Sequence, residues 1–149
     1  MISLDTNILF PAVVAENTEH VAAAEFVEAL SEREDVAISE FILLELYGLL
    51  RNPVVLSKPL TAAAATGVCA AFRVHPRWQM IGFPPDSRAF HDRMWPKLRT
   101  KGFARRRAHD WRAALSMLDQ VVTELATVNV KDFKGFGFER VWNPLESGR

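Results

Sequence analysis

Three carboxylates occupy positions where charged side chains are uncommon, and together they could hold a divalent cation. Asp5 directly follows a short apolar segment, residues 2–4. Glu45 lies within the apolar run 41–50, and Asp110 lies near the start of a long helical pattern. Like charges about 4 Å apart repel by roughly 4 kcal/mol at an effective dielectric of about 20, so a cluster of these acids requires cations or bound protons. Carboxylate oxygens favour Mg²⁺ or Mn²⁺ over zinc, and such ions suit phosphodiester hydrolysis.

Each acid also has a purely structural interpretation. Asp5 could cap the helix that follows it, and Asp110 could interact with the dipole of its own helix. A helix that is apolar on nearly every side is usually buried, so Glu45 is predicted to be largely buried. The alternative is a partly exposed stripe that Glu45 forms with Gly48 and Asn52.

A fourth polar group follows the predicted strand 125–128. Asn129 and Asp132 place an amide and a carboxylate just beyond the carboxyl end of that strand. Ligand sites form at such ends in open α/β sheets. Because Asn and Asp are also common turn residues, this pair indicates a site only in combination with the other acids.

The elements that must position these residues alternate between strand and helix. Apolar patterning predicts strands at 2–4, 35–38, 78–83, 125–128 and 141–142. A helix is expected after Asp5, and helical spacing predicts further helices at 21–30, 39–50, 61–75, 87–95 and 104–122. The intervening segments 96–102 and 134–138 are predicted to be a basic loop and a glycine-rich loop. This alternation is typical of an α/β domain with a mainly parallel sheet.

Length and composition are those of one globular domain, predicted to cover residues 1–149. The chain is 49% hydrophobic and 24% charged, which is ordinary for a soluble protein. No segment approaches the roughly 20 apolar residues of a membrane span, and the N-terminus lacks the features of a signal peptide. A cytoplasmic location is therefore expected. The single cysteine, Cys69, excludes an internal disulfide and a thiolate metal cluster.

In order and approximate spacing, four segments resemble the PIN-domain nucleases, in particular the VapC toxins. They are residues 4–9, 43–46, 108–110 and 127–133. The resemblance implies a PIN-like three-layer α/β/α sandwich with a mainly parallel central sheet of four to five strands. It also implies an Mg²⁺- or Mn²⁺-dependent endoribonuclease, acting as the toxin of a type II (VapBC-like) toxin–antitoxin system. Such a toxin forms a homodimer and is neutralised by a cognate antitoxin protein.

The resemblance also assigns roles to individual residues. The metal would be bound by Asp5, Glu45 and Asp110, which together with Asn129 make up the catalytic set. The residues that would support the site without binding the ion are Thr6, Asn7, Thr127 and Asp132.

The chain departs from the family pattern at two places. Asn129 stands where the family often has Asp, so a second ion should bind more weakly. Trp111 and Arg112 follow Asp110, where small apolar residues are usual. Two other hypotheses are considered, and the Asn129 substitution keeps the second of them open. One is a housekeeping PIN nuclease acting in RNA maturation or on DNA structures, and the other is a non-catalytic PIN-like binding module.

The formal net charge is zero, but cations crowd the segment that precedes Asp110. The predicted RNA-binding residues are Arg99, Lys101, Arg105, Arg106 and Arg107. Such cations contact backbone phosphates without selecting a sequence; the alternative is a solvated loop and helix start. Phe136 lies between two glycines and Phe138 follows the second of them; both are predicted to be hard to bury and available to RNA or a partner.

Overall fold

The computed structural model describes residues 1–146, and its centre is a sheet of five parallel strands. The strands are β1 (Ile2–Leu4), β2 (Val36–Ser39), β3 (Gln79–Ile81), β4 (Glu124–Ala126) and β5 (Arg140–Trp142). They lie in the order β3-β2-β1-β4-β5, and every pairing is parallel. The predicted α/β fold is confirmed, with a strand at each of the five predicted places. The last three positions of the predicted domain, 147–149, lie outside the described residues.

The strand order creates a switch point beside β1. The chain moves from β1 to β2 and β3 on one side, and then places β4 and β5 on the other side. Connections therefore leave the ends of β1 and β4 in opposite directions, which opens a crevice between them. β1 and β2 are buried along their whole length, as expected for parallel strands that are covered on both faces.

Helices connect the strands and cover the sheet. In residues 1–146 they are α1 (Thr6–Val13), α2 (His20–Ala29), α3 (Glu40–Leu50), α4 (Ala62–Arg73), α5 (Ser87–Leu98), α6 (Arg107–Asp119) and α7 (Val130–Phe133). The side chains of Asp5, Ser39, Thr61 and Asp86 cap four of them by accepting backbone N–H groups. None of these helices is long and apolar enough to cross a bilayer.

Two helix boundaries differ from the sequence prediction. α5 continues through Pro96 to Leu98, so the segment 96–102 is only partly a loop. Proline removes one hydrogen bond from a helix, but the next residue, Lys97, lies over the Trp111 ring and anchors this turn. α6 begins at Arg107 and ends at Asp119, well before Val122. Val121 has a φ of 69°, a left-handed conformation that cannot continue a right-handed helix.

The glycine-rich loop is packed down on the core, so the prediction that Phe136 is hard to bury was wrong. Phe136 is only 5% exposed, and its ring packs against Trp111 and Phe133. Gly135 and Gly137 both have positive φ values, which lets the backbone turn sharply enough to direct Phe136 inward. Phe138 is half-buried and also contacts the core.

Candidate active site

Asp5 lies at the carboxyl end of β1 and is held by three hydrogen bonds. Its Oδ1 accepts the Thr6 backbone N–H at 2.7 Å. Its Oδ2 accepts the Asn7 side-chain amide at 2.8 Å and the Thr127 hydroxyl at 2.6 Å. Asp5 is only 7% exposed, so it combines both interpretations of the sequence: it caps α1 and also faces the crevice.

Thr127 connects the ends of β1 and β4 through the same network. It is fully buried, and its hydroxyl oxygen accepts the Asn7 amide at 3.1 Å and the Asn129 backbone N–H at 3.0 Å. The Asn7 side-chain oxygen in turn accepts the Val128 backbone N–H at 3.0 Å. Each polar group therefore fixes another, and the position of the Asp5 carboxylate follows from both strands.

The electrostatics of Asp5 reflect two other acids nearby. Burial raises the pKa of Asp5 from 3.8 to about 6, and the charges of Glu45 and Asp110 add to this increase. Hydrogen bonds from Thr127 and Thr6 lower the pKa and oppose part of the increase. The pKa of Asp110 is also raised, first by burial and then by the charges of Asp132 and Glu45. These acids therefore share one negative region.

Asp5, Glu45 and Asp110 form a wall shared by two clefts. The first cleft, of about 290 Å³, lies against α1 and α3, and we call it the amide cleft. Its other polar lining residues are Thr6, Asn7, Asn17, Glu19 and Asn129. The second, of about 430 Å³, lies between α3 and α6, and we call it the arginine cleft. It is also lined by Phe41, Ile42, Leu44, Arg106, His109, Arg112, Ala113 and Phe133.

Glu45 is exposed, so the prediction that it is buried was wrong. The helix that carries it leaves even Leu44 70% exposed. Apolar composition on all sides of α3 therefore does not mean that all sides are covered. The alternative interpretation holds instead: Glu45 and Gly48 are exposed, and Asn52 is half-exposed.

The donors on the shared wall are carboxylate oxygens, which fit a hard divalent cation. In residues 1–146, no three Asp, Glu, His or Cys side chains converge closely enough to hold an ion by themselves. The oxygen ligands and the negative charge of the wall therefore suit such an ion. The side chains, however, lie too far apart to coordinate it without moving.

The predicted supporting residues divide into two groups. Thr6, Asn7 and Thr127 contact Asp5 directly. Asp132 does not: its carboxylate accepts the Arg106 guanidinium at 3.4 Å, and it acts on the wall only through the charge that raises the pKa of Asp110.

The predicted RNA-binding residues also have different surroundings. Arg106 lines the arginine cleft. Arg107 donates to the Asp132 backbone carbonyl at 2.9 Å and lies 4.5 Å from the centre of the Phe136 ring. It therefore anchors the glycine-rich loop. The remaining three, Arg99, Lys101 and Arg105, are exposed and line neither cleft.

Several lining residues were not identified from the sequence. Asn17 and Glu19 belong to the turn between α1 and α2, and no local pattern marks them. Arg112 stood out only as bulky, although it lines the arginine cleft. The sequence signal that could have identified Arg112 is its position two residues after Asp110, a predicted metal ligand.

Comparison with known proteins gives a full-length relative. The chain is 43% identical over 147 residues to Ribonuclease VapC24 of Mycobacterium tuberculosis, and the match covers 99% of both chains. The same match is found in a second strain of that organism. No protein-family profile matches the chain.

Solved structures show the same fold. VapC20 of Mycobacterium tuberculosis, a sarcin-ricin loop cleaving toxin, superposes with a TM-score of 0.68 at 18% identity and covers 93% of this chain and 96% of its own. FitAcB of Neisseria gonorrhoeae gives 0.65 at 21% identity, covering 99% and 100%. VapBC2 of Rickettsia felis, bound to a promoter DNA fragment, gives 0.64 at 24% identity, covering 96% and 98%.

Proposed function

The chain belongs to the VapC ribonuclease family, and from this premise we propose that it hydrolyses RNA at the wall formed by Asp5, Glu45 and Asp110. One observation supports this proposed location of the site. The carboxylate of Asp5, fixed by three hydrogen bonds, faces the same two clefts as Glu45 and Asp110. The function is that of a VapBC-type endoribonuclease toxin.

We propose that Mg²⁺ or Mn²⁺ binds this wall. Asp5 supplies a rigid carboxylate, because Thr6, Asn7 and Thr127 hold it. Glu45 is exposed, so it can change rotamer at little energetic cost and bring its oxygen towards Asp5. When bound, such an ion lowers the pKa of a water molecule and offsets negative charge on the phosphodiester.

The chain's own residues prepare the wall for this chemistry. The Thr127 hydroxyl and the Thr6 N–H stabilise the charged form of Asp5, which is the form that binds a cation. Asn129 is exposed at the mouth of the amide cleft, where its neutral amide can orient a water molecule or a phosphate oxygen. An Asp at that position would bind an ion more strongly.

The expected partners are an RNA substrate and a cognate antitoxin protein. Relatives of the same fold include VapBC and FitAB assemblies, which supports an antitoxin for this chain. We also propose a homodimer; the alanines of α4 other than Ala65 are exposed, and this surface is available to a second copy or to the antitoxin. The cytoplasmic location and a single domain over the whole chain remain part of this proposal.

The test uses the purified full chain with Mn²⁺ and total RNA. We expect endonucleolytic fragments from the wild type and none from Asp5→Ala. Asp35→Ala is the matched control, because Asp35 is exposed and pairs only with Arg33 among the ion pairs of residues 1–146. If the wild type leaves the RNA intact, or if Asp5→Ala cleaves it equally well, the proposal is overturned. Intact RNA would favour the hypothesis of a non-catalytic binding module. A narrow cleavage pattern on precursor RNA without growth arrest would favour a housekeeping nuclease.

A further inference from the structure

The arginine cleft contains a cation that no acidic side chain neutralises within the described part of the chain. Arg112 lines this cleft together with the three acids of the wall. None of the ion pairs formed within residues 1–146 includes Arg112. Its Nε is buried and has no hydrogen-bond acceptor there. A guanidinium in a negative cleft would ordinarily pair with a carboxylate, so its separation from the acids needs an explanation.

Two aromatic rings hold Arg112 in this position. The guanidinium carbon lies 5.0 Å from the centre of the Phe41 ring and 5.9 Å from that of Phe83. The two rings pack edge to face at 4.5 Å. A cation–π contact contributes roughly 0.5–2 kcal/mol and fixes the guanidinium without cancelling its charge. The acids therefore stay available for a cation, and Arg112 stays available for an anion.

The two clefts differ in their cations. No Lys, Arg or His is among the described residues that line the amide cleft. The arginine cleft has Arg106, His109 and Arg112, and of these Arg106 already contacts Asp132. Of the two clefts, the arginine cleft is therefore the one that offers compensating positive charge to an RNA strand crossing the acidic wall.

We infer that Arg112 binds a backbone phosphate of the RNA next to the scissile bond, and that the strand enters through the arginine cleft. This inference rests on the proposed function. A guanidinium can donate two parallel hydrogen bonds to phosphate oxygens. Because contacts with the rings of Phe41 and Phe83 already restrict the Arg112 side chain, it loses less conformational entropy on binding. An acidic side chain of a protein partner is the competing anion. Phosphate is favoured because hydrolysis must bring phosphates to this wall.

The first experiment measures binding without cleavage. The probe is a fluorescein-labelled, mixed-sequence single-stranded RNA in Ca²⁺, with its integrity checked on a gel, and anisotropy is recorded over a salt series. Loss of one phosphate contact should reduce the slope of log K against log salt by about 0.7. For Arg112→Gln we expect this reduction together with binding weaker by roughly ten-fold. Arg112→Lys should keep the wild-type slope.

Arg88→Gln is the matched control, because Arg88 is 92% exposed on α5 and lines neither cleft. It should bind RNA with the wild-type slope. A second measurement needs no variant and uses RNA in which one phosphate next to the mapped cleavage site is replaced by a neutral methylphosphonate. We expect weaker binding to the wild type when the replaced phosphate lies on one side of the cleavage site, and unchanged binding when it lies on the other side.

Two results would overturn the inference. One is a wild-type salt slope for folded Arg112→Gln. The other is unchanged RNA binding by that variant with loss of binding to a polyglutamate peptide, which would assign Arg112 to an acidic partner. If the wild type fails to cleave RNA in Mn²⁺ while Arg112→Gln still lowers the slope, the phosphate contact stands and the proposed activity fails.

Discussion

The Thr127 hydroxyl donates a 2.6 Å hydrogen bond to the Asp5 carboxylate across 122 positions of the sequence. This bond joins the carboxyl ends of two neighbouring parallel strands, β1 and β4. It also counteracts the effect of burial on the pKa of Asp5. The same contact therefore stabilises the fold at the switch point and keeps the acid in its charged form.

Thr127→Val should raise the pKa of Asp5 above its wild-type value, because it removes a hydrogen bond that favours the carboxylate. It also removes one of the two acceptors of the Asn7 amide and leaves the Asn129 N–H without the hydroxyl acceptor, at a cost of roughly 1–3 kcal/mol in unfolding free energy. Carboxyl ¹³C NMR and urea unfolding measure the two effects. Thr127→Ser retains the hydroxyl and should restore the pKa. An unchanged Asp5 pKa in Thr127→Val would contradict the assigned role.

The stability of the metal-free protein should fall as pH rises between about 4 and 6. The folded-state pKa of Asp5, about 6, lies above the ordinary value of 3.8 for an aspartate, so the folded chain binds more protons in this window. The penalty for holding Asp5 ionised is then fully present above pH 6 and amounts to roughly 3 kcal/mol. Urea unfolding in EDTA across this range measures it. Mn²⁺ should recover stability at neutral pH but not at pH 4; equal stabilisation at both would argue against a carboxylate site.

Glu45→Gln should lower the pKa of Asp5, because the negative charge of Glu45 raises it. Glu40→Gln, on the same helix, is the control, since Glu40 pairs with Arg73 on the exposed surface. It should leave the Asp5 titration unchanged. We also expect Mn²⁺ to bind Glu45→Gln more weakly by calorimetry, while Glu40→Gln binds as the wild type does. Equal effects of the two substitutions would show that Glu45 has no special proximity to Asp5.

Arg107→Gln should destabilise the fold rather than weaken RNA binding. Its guanidinium donates to the Asp132 carbonyl and lies over the Phe136 ring, so its loss should lower the unfolding free energy by about 1–3 kcal/mol. Arg105→Gln, at an exposed neighbouring position, should leave stability unchanged. Thermal unfolding compares the two. If Arg107→Gln is as stable as the wild type but has a smaller slope of log K against log salt for RNA binding, Arg107 is an RNA-binding residue as first predicted.

Sequence patterns predicted the sheet because parallel strands carry a strong local signal. β1 and β2 are short apolar runs, and the residues that follow them, Asp5 and Ser39, are helix caps recognisable by type. The sequence also located the three acids of the wall relative to the predicted strands and helices. Local composition thus located the strand ends and, through them, the candidate site.

Exposure and pairing could not be predicted because they depend on neighbours distant in the chain. Glu45 lies in an apolar helix but is exposed, because the elements around α3 leave clefts at this position and do not pack over it. Phe136 looked exposed between glycines yet is packed under Lys97 and Arg107. Arg112 is kept from the acids by Phe41 and Phe83, which come from two other segments.

The sheet order has a consequence for when activity can arise during synthesis. β1 is made first but lies between β2 and β4, and Asp5 receives its Thr127 contact only after β4 has docked. A nascent chain on the ribosome therefore carries an incompletely organised site until residue 127 has emerged. Long-range pairing of this kind forms slowly, so the hydrogen-bond network of Asp5 is completed only after the β4 segment has been made.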